Sequence, residues 1–146
     1  MADDADTMDE AEVAGPVMAV PRKYGPPAVN LETKPFWEAT SKDEFLIKRC
    51  KDCGEPHYYP RTLCPFCFSE NTVWEKTSGE GEIYTFSAMY RGGQPYGIGY
   101  VKLKEGPYVL TNFVDCDLKE LKCGQKVKVQ FADTGTPYKQ PVFKPV

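Results

Sequence analysis

Apolar and polar positions change rhythm twice along this 146-residue chain. Residues 1–20 are acidic and Ala-rich with no aromatic side chain, too little apolar surface to offset the entropy of ordering, which predicts a disordered tail. Residues 21–35, with Pro21, Pro26, Pro27 and Pro35, predict an extended arm that either lies along another surface or serves as a tether. Pro35-Phe-Trp-Glu-Ala-Thr opens a short helix over about 35–41 with proline at the first helical position, placing Phe36 and Trp37 close together but not on one face. Phe45-Leu-Ile-Lys-Arg then reads as a strand, His57-Tyr-Tyr-Pro-Arg as its returning partner and Thr72-Val-Trp-Glu-Lys as a third.

Beyond Gly79-Glu-Gly81 the rhythm settles into short β-rich runs separated by turn residues. Glu82 to Tyr90, Tyr96 to Lys104, Tyr108 to Asp115, Lys126 to Phe131 and Pro141 to Val146 predict five strands, the last at an edge. The longer connection between the third and fourth, with a helical turn or loop over Asp117 to Gly124, suggests a small Greek-key barrel of the OB type. The predicted organisation is a tail and arm over 1–34, a helix and ribbon over 35–78, and an OB-fold domain over 79–146. No run is long enough for the helices of an α/β fold.

The first module takes its identity from Cys50-Lys-Asp-Cys53 and Cys64-Pro-Phe-Cys67. Two Cys-x-x-Cys pairs ten residues apart form knuckles that aim four thiolates at one point, the ligand set of a structural zinc site. Gly54 supplies the positive φ expected after the first pair, and Pro65 restricts the second turn. Two disulfides are the competing use of such cysteines, and nothing marks the chain as secreted. The same four thiolates also serve iron, as in an electron carrier. A ribbon this small needs its metal in order to fold.

Charge and composition narrow the partners. The net charge is −3, but Asp3, Asp4, Asp6, Asp9, Glu10 and Glu12 all precede residue 21, leaving 18 basic against 15 acidic groups in the remainder. Four thiolates on a divalent metal bring that remainder back to near neutrality, not the basic footprint of a nucleic-acid binder. Met1 to Glu12 lacks the basic and apolar regions of a secretory leader, and no apolar run reaches the length of about 20 residues that a membrane span requires. The expectation is a cytoplasmic protein without a membrane partner.

The remaining chemistry is sparse. His57, the one histidine, falls inside the ribbon and reads as a strand residue beside a site already filled by four cysteines. Cys116 and Cys123 are spaced for no metal knuckle; Lys119 and Lys122 lie near them, but no base accompanies them, so they read as structural or surface thiols. Nothing resembles a phosphate loop, and no residue is assigned a catalytic role.

Pro35-Phe-Trp-Glu, Cys50-x-x-Cys-Gly54, Tyr59-Pro-Arg61, Cys64-Pro-x-Cys67 and Gly79-x-Gly-x-Ile-Tyr-Thr-Phe86, followed by Gly124-x-x-Val127, resemble the acyl-CoA-associated family of rubredoxin-like zinc ribbon plus OB-fold, long called domain of unknown function thirty-five. The resemblance covers about residues 35–146. It implies a mostly β chain, an N-terminal rubredoxin-like ribbon followed by a five-stranded OB-fold barrel. It further implies a non-catalytic subunit of a hetero-oligomer whose thiolase-fold partner supplies the nucleophile, with acyl-CoA as the substrate of the complex. Family contexts include acyl-CoA thiolases, among them those of aromatic degradation, sterol side-chain aldol lyases and acyltransferases on phenolic compounds. On that footing Arg91, flanked by Tyr90 and Tyr96, and Arg61 become candidates for acyl-CoA contacts, because guanidinium groups suit phosphates. Phe36, Trp37, Tyr59, Phe66 and Phe68 become candidates for the partner interface, although small ribbons also use such aromatics as their own core. Single-stranded nucleic-acid binding on barrel aromatics is the alternative function, disfavoured by the charge.

Overall fold

A computed structural model describes residues 15–90 and 93–146. Strand β1 (Leu46–Cys50) is the centre of a three-stranded antiparallel sheet, flanked by β2 (Pro56–His57) and β3 (Thr72–Lys76). The returning strand is shorter than the sequence pattern predicts. Pro60 has no N–H for the ladder, and Tyr58 and Tyr59 instead pack their rings on Phe36, with centroids 5.8 and 5.7 Å away. Burying two large rings outweighs the few hydrogen bonds that a longer strand would add.

Helix α1 (Lys34–Thr40) buries Phe36, Trp37, Ala39 and Thr40. Seven residues cannot sustain a helix in water, so packing holds it. Phe36 is enclosed by Trp37, Phe45, Tyr58 and Tyr59, and Thr40 Oγ1 accepts the Lys139 N–H at 3.2 Å. One face of α1 therefore serves the ribbon, and its end serves the second module.

That module is a closed barrel of five strands: β4 (Glu80–Met89), β5 (Tyr96–Leu103), β6 (Tyr108–Phe113), β7 (Lys126–Asp133) and β8 (Lys139–Pro145), in the order β4-β5-β6-β8-β7. The fifth strand is not an edge. β8 runs antiparallel to β7 from Val127↔Pro145 to Asp133↔Lys139 and meets β6 in parallel at Phe113↔Phe143. Closure removes the unpaired backbone groups that an open sheet would expose. Strict alternation along β5 turns Gly97, Gly99, Val101 and Leu103 inward and Ile98, Tyr100 and Lys102 outward. Gly99 is required by close approach: a Cβ there would lie 2.1 Å from the Thr85 carbonyl oxygen, beside the register shift in β4. A 3-10 turn, Leu118–Glu120, capped by Asp117, carries Leu118 and Leu121 against the Gly97 end of the barrel.

One hydrophobic cluster runs through both modules, from Phe36, Trp37, Phe45 and Ile47 to Ile83, Val101, Leu103, Phe113, Val127 and Phe143. The arm is laid along the barrel. Residues 15–20, assigned by composition to a disordered tail, are hydrogen-bonded instead. The Ala19 N–H donates to the Cys116 carbonyl at 2.9 Å, the Val20 N–H to that of Pro95 at 2.9 Å, and the Leu118 N–H to that of Val17 at 2.8 Å. Composition misses this because the partner backbone is about a hundred residues away in sequence. Further along, Arg22 stacks over the Tyr96 ring at 4.6 Å and the Tyr24 hydroxyl donates to Asn112 at 3.1 Å. The rest of the predicted tail, residues 1–14, lies outside the described residues.

Candidate metal centre

Both knuckles are built the same way. The Gly54 N–H returns to the Cys50 carbonyl at 3.0 Å and the Phe68 N–H to the Cys64 carbonyl at 2.9 Å. The residue after each pair is left-handed, Gly54 at φ 79° and Phe68 at φ 62°. Glycine takes that conformation freely, whereas Phe68 takes it because the second knuckle demands it. Each turn leaves its first sulfur inside and its second outside: Cys50 and Cys64 are buried, Cys53 and Cys67 exposed. Backbone N–H groups face the sulfurs, Cys53 N to Cys50 Sγ at 3.5 Å and Phe66 N to Cys64 Sγ at 3.4 Å.

All four sulfurs lie within 4.8 Å of one another, with Cys50–Cys67 and Cys53–Cys64 both at 3.6 Å. Disulfides are excluded by those distances, since an S–S bond is about 2.05 Å. The separations fit a tetrahedron instead, because metal–sulfur bonds of about 2.3 Å give edges of about 3.8 Å. The Cys53 backbone N–H foremost draws the Cys50 thiol down to about 7, while burial and the neighbouring thiols push Cys53 and Cys67 up, so the four sulfurs do not ionise together without a cation among them. The donor set is that of a structural zinc site, and zinc bound there would supply a rigid cross-link between β1 and the second knuckle, not a reactive centre. Side chains reinforce the link: Asp52 accepts from the Ser69 hydroxyl and from Asn71 Nδ2 across the knuckles, and Arg49 ties Glu75 at 2.7 Å to the Gly54 carbonyl at 2.8 Å.

His57 stands beside the cluster and not in it. It is buried, its Nε2 accepts the Arg61 N–H at 3.3 Å, and burial holds its imidazole below the ordinary histidine range. Cys116 is half-buried and its thiol is pushed up, first by burial and then by Asp115 and Asp117, the opposite of an activated nucleophile. Cys123 is exposed.

The predicted interface residues divide. Phe36 is fully buried and Trp37 nearly so, and the half-buried Tyr59 packs against them and accepts the Trp37 indole N–H at 2.8 Å, so these three contribute to the chain's own core. Phe66 and Phe68 stand out from the second knuckle, 60% and 75% exposed. Among the acyl-CoA candidates, Tyr90 immediately follows β4 and Tyr96 opens β5, so both lie at one end of the barrel, Tyr96 beneath Arg22. Arg61 belongs to the ribbon, where it pairs with Glu32 at 3.5 Å. Arg91 lies outside the described residues.

The sequence reading missed one surface. Tyr84, Ile98, Tyr100, Tyr108 and Leu110 all point out of the β4-β5-β6 sheet and are 38–59% exposed, with Tyr84 edge-on to Tyr108 at 4.9 Å. The signal was present in the alternation of β5 and β6, where glycines and valines take the inner phase and tyrosine, isoleucine and leucine the outer one.

A four-thiolate ribbon stapled to a closed five-stranded barrel defines the architectural class of the protein. Residues 37–73 match the family described as "ChsH2, rubredoxin-like zinc ribbon domain" and residues 74–132 that described as "ChsH2, C-terminal OB-fold domain". The chain belongs to this ChsH2/DUF35 family. It is 31% identical over 90 residues to a DUF35 domain-containing scaffold protein of Methanothermobacter thermautotrophicus, covering 57% of this chain and 68% of that protein. It is 31% identical over 85 residues to the benzoylsuccinyl-CoA thiolase subunit BbsA of Geobacter metallireducens, covering 56% and 57%. Similarity to a probable enoyl-CoA hydratase alpha subunit of Thermomonospora curvata is 26% over 124 residues, 82% of this chain but only 39% of that protein. A solved structure described as an Ltp2-ChsH2(DUF35) aldolase superposes with a TM-score of 0.72 at 26% identity, covering 82% of this chain and 98% of that chain. The chain thus spans from two fifths to two thirds of the length of these curated relatives. Among the described residues, no helix is long and apolar enough to cross a membrane.

Proposed function

We propose that this chain is the non-catalytic, zinc-binding subunit of a heteromeric thiolase-like acyl-CoA enzyme. The observation that carries the assignment is the 98% coverage of a DUF35 chain solved as part of an aldolase that also carries Ltp2. Zinc on Cys50, Cys53, Cys64 and Cys67 makes the ribbon rigid, residues 35–78 and 79–146 act as its two modules, and a thiolase-fold partner supplies the nucleophile. The exposed ladder of Tyr84, Tyr100, Tyr108, Ile98 and Leu110, with Lys102 over the Tyr108 ring, together with Phe66 and Phe68, supports docking: aromatic-rich patches are characteristic of interface cores. Acyl-CoA is the substrate of the complex, contacted from this side by Tyr90, Tyr96 and Arg91, in the cytoplasm; the kinship to BbsA favours an aromatic acyl-CoA.

A second reading draws on the same ladder. Three exposed tyrosines on an OB barrel also suit single-stranded nucleic acid, whose bases stack on aromatic rings. The charge argues against it.

Affinity purification of the tagged chain from its native cells, with mass spectrometry and metal analysis of the eluate, tests both. A stoichiometric thiolase-fold protein and one zinc per chain are expected. A partnerless monomer overturns the subunit assignment, and nucleic acid in the eluate replaces it with the second reading.

A further inference from the structure

The arm begins on the barrel and ends on the metal-bearing ribbon. Its first described residues are hydrogen-bonded to Cys116, Pro95 and Leu118, and Val17, Ala19 and Val29 pack against the shared core. Its last residues form a reciprocal cap in which the Thr33 N–H donates to Asn30 Oδ1 at 2.9 Å and the Asn30 N–H to Thr33 Oγ1 at 3.2 Å. Between these anchors the Glu32 carboxylate turns to the loop that delivers Cys64. It accepts the Thr62 N–H at 2.9 Å, the Thr62 hydroxyl at 2.9 Å and an Arg61 guanidinium N–H at 3.5 Å.

Thr62 precedes Cys64 by two residues and is held from the other side as well, its carbonyl accepting the Thr72 hydroxyl at 3.3 Å. The Cys64 N–H is already committed to Ser69. The approach to the second knuckle is therefore fastened between β3 and a residue of the arm, outside the residues 37–73 that match the ribbon family. The Thr62 N–H foremost lowers the Glu32 carboxyl pKa, so the acceptor is charged at neutral pH.

We propose that Glu32 is a positioning residue of the metal centre, and that through it the bound metal and the docked arm stabilise each other. The proposal rests on the zinc assignment made above. Fixing the Arg61–Cys64 loop keeps the Cys64 sulfur where the other three converge, so less ordering remains to be done when the metal binds. Linkage is reciprocal: the factor by which a docked arm tightens metal binding is the factor by which metal tightens arm docking. The alternative is an ordinary surface ion pair, which leaves both equilibria unchanged.

The test uses the full chain loaded with zinc. Zinc affinity is measured by competition with a chromophoric chelator, and arm docking by hydrogen exchange at the Ala19 and Val20 amides, which donate to the barrel. Glu32→Ala is expected to weaken zinc about tenfold, the lower end for groups that orient metal ligands from outside the coordination shell. Protection of the two amides is expected to fall with it. The cobalt(II) spectrum should keep its tetrahedral thiolate form, since the four ligands are unchanged. Glu32→Gln, which keeps an oxygen for Thr62, should recover most of the affinity and guards against misfolding of the alanine variant. A Glu32→Ala affinity within about twofold of the parent, or unaltered amide protection, overturns the proposal while leaving the zinc assignment intact. Parent protein that holds no zinc on the four cysteines overturns both.

Discussion

Phe45 of the ribbon meets Phe143 of the barrel edge to face, with ring centroids 6.2 Å apart. Both rings are buried, Phe45 2% exposed and Phe143 not at all, so the two modules share a core and are not beads on a tether. Phe45→Ala is expected to destabilise the chain by about 3–5 kcal/mol, the range for truncating a buried phenylalanine. The loss should appear in a single urea transition reported alike by the fluorescence of Trp37 and Trp74 in the ribbon module and by NMR probes in the barrel. Two separate transitions would show that the modules fold independently.

Cys64→Ser leaves three thiolates and removes a buried ligand. Metal binding and folding of such ribbons are coupled, so zinc content should fall below one per chain and the resonances of residues 46–76 should collapse. Unchanged zinc content would contradict the ligand set.

Gly99→Ala tests the closure of the barrel. The added methyl would sit 2.1 Å from the Thr85 carbonyl oxygen and 2.7 Å from the Phe86 Cα, both backbone atoms that cannot rotate aside. Overpacking of this kind costs about 1–3 kcal/mol, read as a lowered midpoint in thermal or urea unfolding. Gly93→Ala meets no atom of the described residues within 4 Å, but its φ of 71° makes it a test of strain without a clash.

His57 links stability to pH. Its folded imidazole titrates below the ordinary value of about 6.5, chiefly because it is buried. Above about pH 6.5 the side chain is neutral in both folded and unfolded states and contributes no pH dependence. As pH falls through that value the unfolded chain takes up a proton that the folded chain refuses, and stability is lost until the folded value is reached. The parent protein should therefore lose more Tm than His57→Gln between about pH 7.5 and 5.5. Parallel Tm curves would remove His57 from this role.

Leu110 and Tyr100 face each other across β5 and β6 on the outer side of the barrel, 54% and 44% exposed. Leu110→Arg should leave Tm nearly unchanged, because the site is on the surface. If the tyrosine ladder is the docking face, the same substitution should weaken the complex with the catalytic subunit by about 2 kcal/mol, or about thirtyfold in Kd. Isothermal titration with the purified partner measures both arms of that expectation.

Short-range chemistry was legible in the chain itself. The two Cys-x-x-Cys turns close through contacts spanning four residues, so their spacing announces the tetrahedral cluster without knowledge of anything distant. The five barrel strands follow from alternation, a property each strand carries in its own side chains. Long-range competition is another matter. Sequence alone leaves Phe36, Trp37 and Tyr59 open between a partner interface and the chain's own core; the packing of α1 on the ribbon and β8 buries Phe36 and Trp37 and half-buries Tyr59 beside them. Pro141 to Val146 reads as an edge until Phe143 is found beside Phe113, closing the barrel. Residues 15–20 are too few to order themselves, and they are held by the backbone carbonyls of Pro95 and Cys116 to which they donate. In each case the residue's own character set what it was able to do, and a partner dozens of positions away set what it did, because pairing across long loops is paid in entropy that no local pattern records.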